Sequence, residues 1–201
     1  MKVITTEKIP IKLWLDDIED GALQQAKDLA NLPFAFKHIA IMPDSHQGYG
    51  MPIGGVMATK GVIVPNCIGV DIGCGMTAIK SDITLDQFED ISTLQEWLKD
   101  IMGKIREVIP VGFNHNEKPQ DNQIFDDMPD IPILNQELSS AKKQLGTLGG
   151  GNHFIEIQQD TEGFLWVMIH SGSRNLGKKV ADTYHKKAKE LCKKWYSDIP
   201  N

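Results

Sequence analysis

Gly149-Gly150-Gly151-Asn152-His153-Phe154-Ile155-Glu156-Ile157, followed after a short polar interval by Leu165-Trp166-Val167-Met168-Ile169-His170-Ser171-Gly172-Ser173-Arg174, holds two apolar runs, each with a histidine at one end. Short runs rich in Ile, Val and Phe and bounded by glycine read as strands. Phe154–Ile157 and Leu165–Ile169 are successive, so if they are neighbours in a sheet both imidazoles, His153 and His170, reach one cavity. Taken singly, a histidine at such a place is more often a satisfied core residue than a ligand. Ile39–Met42, Val62–Val64 and Thr77–Ile79 are further apolar runs between Gly and Pro and are read as strands on the same grounds.

Three stripes repeat at helical spacing. Leu23, Ala26, Leu29 and Ala30 follow Asp20 and precede Pro33. Ile91, Leu94, Leu98, Ile101, Ile105 and Val108 are stopped by Pro110, with Thr93 and Glu96 placed as an internal capping box. Leu176, Val180, Tyr184, Ala188, Leu191 and Trp195 form the third stripe. All three are assigned to core packing. Strands and helices do not alternate regularly, which favours an α+β fold over a doubly wound sheet. We expect mixed or antiparallel sheets, amphipathic helices packed around them, and a metal site at strand ends. Asn114–Asp130 is polar, acidic and punctuated by Pro119 and Pro129, the pattern of an exposed loop.

With 201 residues, 41% hydrophobic and 24% charged, the chain has the composition of a globular protein with one substantial core. One domain over residues 1–201 is expected. The chain closes on Tyr196–Asn201 directly after the third stripe, which suggests that it stops inside a larger catalytic domain. No signal-peptide run and no membrane-length apolar stretch occur, so a cytoplasmic location is expected. Three cysteines, Cys67, Cys74 and Cys192, argue against a disulfide framework and leave ligation or a free thiol. A net charge of -6 argues against nucleic-acid binding by bulk electrostatics, so any such binding is expected to be local. The basic run from Arg174 to Lys194 is read mainly as a solvated helix face.

Four polar clusters carry the candidate chemistry, at the edges of predicted strands. Met42-Pro43-Asp44-Ser45-His46-Gln47-Gly48-Tyr49-Gly50 is the first. Val70-Asp71-Ile72-Gly73-Cys74-Gly75-Met76 is the second, and the two histidine segments that open this section are the third and fourth. In the second, Asp71 and Cys74 are three apart in a glycine-rich loop, so a carboxylate and a thiolate can converge on one ion. Alone, that spacing supports a metal pair and a buried small hydrophobe equally. The mixed donor set suits zinc by softness, with manganese the less expected occupant. Gly149–Gly151 can expose backbone N–H groups to a phosphate, although a tight turn is the commoner use of such a run. Ser171, Ser173 and Arg174 are suited to phosphate oxygens. A Ser–His hydrolase is disfavoured because no Gly-x-Ser-x-Gly elbow exists. Asp44 is read as a turn residue, with a supporting role near a site as the other reading.

In this order the four clusters resemble the RtcB family of RNA-splicing ligases. The resemblance rests on Met42-Pro43-Asp44-x-His46-x-Gly48-x-Gly50, Gly69–Met76, Gly151–Glu156 and His170-Ser171-Gly172-Ser173-Arg174, and it runs from about Ile39 to Gly177. It implies two Mn2+ ions, one held by Asp71, Cys74 and His153 and one by Cys74, His170 and a later histidine. It also implies a GTP site lined by Asn152, His153, Phe154, Ile155 and Glu156. The implied partner is RNA, with a 3′-phosphate or 2′,3′-cyclic phosphate at one end and a 5′-hydroxyl at the other. An activating protein partner is left open. The implied chemistry passes guanylate from GTP to a histidine and then to the RNA 3′-phosphate. That histidine belongs to a His-Gly-x-Gly-Arg motif, and none of His38, His115 or His185 sits in one, so no residue is assigned as the catalytic nucleophile. The resemblance is to the N-terminal part of a ligase. A catalytically silent metal-binding protein and a metal-dependent phosphoesterase are the competing classes. Cys67 is assigned to packing.

Overall fold

The structure, a computed structural model, describes residues 1–195, and the expectation placed on Tyr196–Asn201 lies outside them. The fold is α+β. Its strands are β1 (Lys2–Ile4), β2 (Ile11–Leu13), β3 (Ala35–His46), β4 (Ile53–Thr59), β5 (Gly75–Thr84), β6 (Phe154–Gln159) and β7 (Phe164–Ser171). Its helices are α1 (Asp20–Ala30), α2 (Pro65–Ile68), α3 (Ile91–Val108), α4 (Pro132–Gln144) and α5 (Arg174–Lys194). The chain divides into two compact units, Met1–Val70 with the chain from Ala181 onward, and Asp71–Val180.

The first unit is built on a mixed sheet in the order β1-β2-β3-β4, in which β2 and β3 run parallel and the outer pairs antiparallel. Ile11 and Leu13 on β2 and Ile39 and Ile41 on β3 face Ala26, Leu29 and Ala30 of α1, and these seven form its core. Alanines at one-turn spacing, Ala22, Ala26 and Ala30, are fully buried and let α1 lie close to the sheet. Each fully buried isoleucine contributes roughly 1.5–3 kcal/mol of transfer free energy. Cys67, in α2, packs against this core, as assigned, and burial raises its thiol pKa.

Two expectations need correction here. Val62–Val64 is not a strand but an unpaired segment that leads into α2. Pro65 at the helix start forces Val64 to be extended, but no strand pairs with it, and its carbonyl accepts the Cys67 N–H at 3.0 Å instead. Asp44 is not a turn residue: it lies in β3, where the ladder to β4 is irregular between Ile41 and His46, and its carbonyl is 3.1 Å from Nδ1 of His46. β1, β2 and β4 were not anticipated, the first two because three-residue strands carry too little periodicity.

In the second unit the sheet is antiparallel in the order β5-β7-β6. Ile155 and Ile157 of β6 pair with Ile169 and Val167 of β7, so these apolar residues share one face. The turn from β6 to β7 is tied by Asp160, whose Oδ1 accepts the N–H groups of Glu162 and Phe164 at 2.9 Å each. Its Oδ2 accepts the Trp166 indole N–H at 2.8 Å. The α3 stripe is where expected, but its cap is not the Thr93–Glu96 box. Asp90 precedes the helix and accepts both the N–H and the hydroxyl of Thr93, at 2.8 and 3.0 Å.

Core packing holds for the α1 stripe and needs correction for the others. At the ends of α3, Ile91 and Val108 are exposed, and on α5 so are Tyr184, Leu191 and Trp195. Periodicity reports that a helix has an apolar face; it does not report what covers that face. The lysines of α5 are exposed, in keeping with a solvated basic face. Asn114–Asp130 is mainly exposed and holds only a short 3-10 turn at Gln123–Phe125. Among the described residues no helix is long and apolar enough to cross a membrane.

Candidate metal centre

The register of the second sheet builds the site. On the central strand β7, His170 pairs with Met76 of β5 on one side and Phe154 of β6 on the other. Cys74 is the residue two before Met76 and His153 the residue before Phe154, so all three side chains gather at one end of the sheet. Their ligand atoms lie within 4.8 Å of one another. Cys74 Sγ is 2.8 Å from Nε2 of His170 and 3.9 Å from Nε2 of His153. The two rings meet edge to face, with centroids 5.0 Å apart. The alignment of strand ends, which the sequence posed as a condition, is met.

Each imidazole is oriented by a second contact. Nδ1 of His170 donates to the Asn152 carbonyl at 3.1 Å, which leaves the Nε2 lone pair directed at Cys74. His153 is nearly buried, with Nε2 2.9 Å from Oδ2 of Asp71, and its Nδ1 is buried without a hydrogen-bond partner. Its ring lies between two glycines. A Cβ on Gly149 would fall 2.8 Å from His153 Nδ1, and one on Gly172 would fall 2.6 Å from Cε1. Gly149 also has φ +107°, so both backbone angle and space require glycine there.

Asp71 stands beside the three-residue cluster. Its Oδ1 accepts the backbone N–H of Ser173 at 3.0 Å and the Ser173 hydroxyl at 2.5 Å, and its Oδ2 faces His153. Burial opposes its charge, but the two Ser173 hydrogen bonds and His153 outweigh it and hold the carboxyl below its ordinary range. The Cys74 thiol is shifted upward, by burial first and then by the charge and hydrogen bond of Asp71. A cation would therefore have to displace a proton from sulfur, which makes its binding pH-dependent.

One thiol, two imidazoles and a carboxylate fit a divalent transition ion. Asp71, Cys74, His153 and His170 would hold such an ion. Softness favours zinc over manganese for this donor set. When bound, the ion would supply Lewis-acid polarisation of a phosphoryl oxygen.

Two sequence assignments change character in the structure. Arg174, expected to be offered to phosphate, donates from Nε to the Thr147 hydroxyl at 2.8 Å and from Nη2 to the Gly112 carbonyl at 2.5 Å. Burial lowers its pKa, against the opposing charge of Asp71. It ties two loops together. Ser173, expected in the same role, is committed to Asp71. Of the residues expected to line a nucleotide site, Phe154 and Glu156 share the sheet face of His170. Ile155 points to the other face, where it lines a shallow apolar depression with Met102, Ile105, Ile109, Val111 and Leu148. Asp44 and His46 lie in the first unit.

A polar network behind the site was not foreseen. Asn175 donates its N–H to Gln144 Oε1 at 3.0 Å and its side-chain amide to Glu137 Oε2 at 2.7 Å, and both partners are buried on α4. The buried face of α4 carries Glu137 and Gln144 alongside Ala141, while Leu134, Leu138 and Ala141 repeat at helical spacing, a stripe not assigned from the sequence.

Comparison with known proteins decides the family. The model of the tRNA-splicing ligase RtcB family matches residues 25–131 and 129–201. The chain belongs to the RtcB family. An RNA-splicing ligase RtcB of Escherichia coli (strain K12) is 35% identical, over the whole of this chain and 52% of the relative. The tRNA-splicing ligases RtcB of Nanoarchaeum equitans and Thermococcus kodakarensis are 28% and 29% identical. They align over 96% and 88% of this chain and 50% and 47% of their own length. The chain thus spans about half the length of these RtcB relatives. All four candidate ligands, Asp71, Cys74, His153 and His170, lie inside the matched RtcB segments.

Proposed function

We propose that this chain forms the metal-holding part of an RNA ligase that uses GTP and manganese to join RNA 3′-phosphate or 2′,3′-cyclic phosphate ends to 5′-hydroxyl ends. The convergence of Cys74, His153 and His170 within 4.8 Å, in a chain that matches RtcB ligases along its length, carries the proposal. Asp71, Cys74 and His153 would hold one ion, and Cys74 with His170 would contribute to a second. Asn152, Phe154 and Glu156 would meet the guanine nucleotide beside His153, with Ile155 supporting the strand from its other face.

This chain's own residues hold and orient. The Asn152 carbonyl keeps His170 in the tautomer that presents Nε2, and Gly149 and Gly172 fix the plane of His153. The guanylate-accepting step would need a histidine in a His-Gly-x-Gly-Arg segment, and these 201 residues contain no such segment. The phosphoesterase reading drew on Arg174 as a phosphate ligand, and the commitment of that guanidinium to Gly112 and Thr147 weighs against it.

Equilibrium dialysis of labelled GTP against the purified chain, with and without manganese, tests the proposal. GTP should bind only with manganese present, and Cys74→Ala should abolish that binding. Manganese uptake with no manganese-dependent GTP binding would leave a silent metal-binding protein and defeat the ligase reading.

A further inference from the structure

Ser173 immediately precedes α5, and its carbonyl accepts the Gly177 N–H at 3.3 Å, which makes it the residue that opens the helix. A serine in this place ordinarily turns its hydroxyl back to accept an N–H from the first helical turn. Here the hydroxyl donates away from the helix, to Asp71 Oδ1, and the Ser173 N–H donates to the same oxygen. Both donors hold one carboxylate oxygen, while the other oxygen faces His153.

The surroundings fix this arrangement. The next residue, Arg174, has φ +55° and is anchored to Thr147 and Gly112. The one after it, Asn175, is anchored to Gln144 and Glu137. Gly177 sits against Ser173 and the Ile72 carbonyl so closely that no side chain could be placed there. Ser173 is therefore clamped by the two residues that follow it and by the helix turn above it.

We infer that Ser173 is a positioning residue for the metal centre: it immobilises Oδ1 of Asp71, so that the carboxylate meets an ion through Oδ2 alone. The inference rests on the reading of Asp71 as a metal ligand. A carboxylate pinned at one oxygen is pre-oriented and cannot swing to chelate through both, which sets its contribution to affinity and to coordination geometry.

Cobalt(II) titration of the full 201-residue chain, followed by visible and near-ultraviolet absorption, provides the test. Ser173→Ala should bind cobalt about 10- to 100-fold more weakly. Its visible ligand-field bands should change while the thiolate-to-cobalt charge-transfer band from Cys74 persists. Ser173→Thr, which keeps a hydroxyl, should behave as wild type, and Ser173→Val, of the same shape as Thr, should behave as Ala. This isosteric pair decides the question if Ser173→Ala does not fold. In an Asp71→Asn background, Ser173→Ala should cost nothing further. Wild-type affinity and spectrum in both Ala and Val variants overturn the inference, as do losses that add fully in the double variant. A wild-type chain with no thiolate-to-cobalt band fails at the earlier step and removes the metal reading itself.

Discussion

The two units of this chain are held together by different physics. In the first, Ile11, Leu13, Ile39 and Ile41 close on Ala26, Leu29 and Ala30 in a dry core. In the second, the shared structure around the sheet end is polar: Asp71 to Ser173, Arg174 to Thr147 and Gly112, Asn175 to Gln144 and Glu137. Apolar burial is non-directional and tolerates approximate geometry, whereas hydrogen bonds fix angle and distance. The unit that carries candidate ligands is the one built on directional contacts.

The largest effect separates the units by their cores. Ile39→Ala removes a fully buried side chain of β3 from the core shared with β2 and α1 and should destabilise the first unit by about 2–5 kcal/mol. Urea unfolding followed in the first unit should show that loss, while cobalt affinity of the still-folded fraction stays at the wild-type value. A parallel drop in metal affinity would show that the contrast between the units is wrong.

An intermediate effect addresses the second unit. Saturating metal at about 100 times its Kd should stabilise the folded state by about 2.7 kcal/mol, and Cys74→Ala should lose most of that gain. Cys74→Ala should also lower the manganese content measured by elemental analysis more than His46→Ala does, because Cys74 lies between two imidazoles and His46 belongs to the first unit. Equal metal content in the two variants would refute the assignment of Cys74.

How far the sequence could be read follows the same divide. Helices α1, α3 and α5 and strands β6 and β7 were legible because apolar spacing is a property of the chain alone. The meeting of His153 and His170 was legible once β6 and β7 were taken as neighbours, since one residue of register fixes which ends meet, whereas Cys74 joins them through the β5–β7 pairing, which apolar spacing did not reveal. The hidden parts are those in which polar groups do the packing. Glu137 and Gln144 read as solvent-facing residues but are buried on α4, and Arg174 reads as a phosphate ligand until its carbonyl partner on Gly112 is seen. The Thr93–Glu96 box does not form, because Asp90, three residues earlier, caps the helix and takes both the N–H and the hydroxyl of Thr93.

The smallest effect tests whether directional contacts hold the second unit away from the metal cluster too. Asp160 closes the β6–β7 turn, and its pKa is lowered, first by the Trp166 indole N–H. Burial opposes that shift, and the Phe164 and Glu162 N–H groups and Lys80 add to it. A carboxyl lowered on folding contributes stability that is present above its unfolded value of about 3.9 and is lost as pH falls through the folded value. Asp160→Asn can keep the two backbone contacts through one oxygen, but it places an amide N–H against the Trp166 N–H. The variant should therefore melt below wild type at pH 7. The gap should narrow as the pH is taken below 4, because the protonated wild-type carboxyl loses the same advantage. A gap that stays constant across that range would mean that shape, not charge, makes the turn.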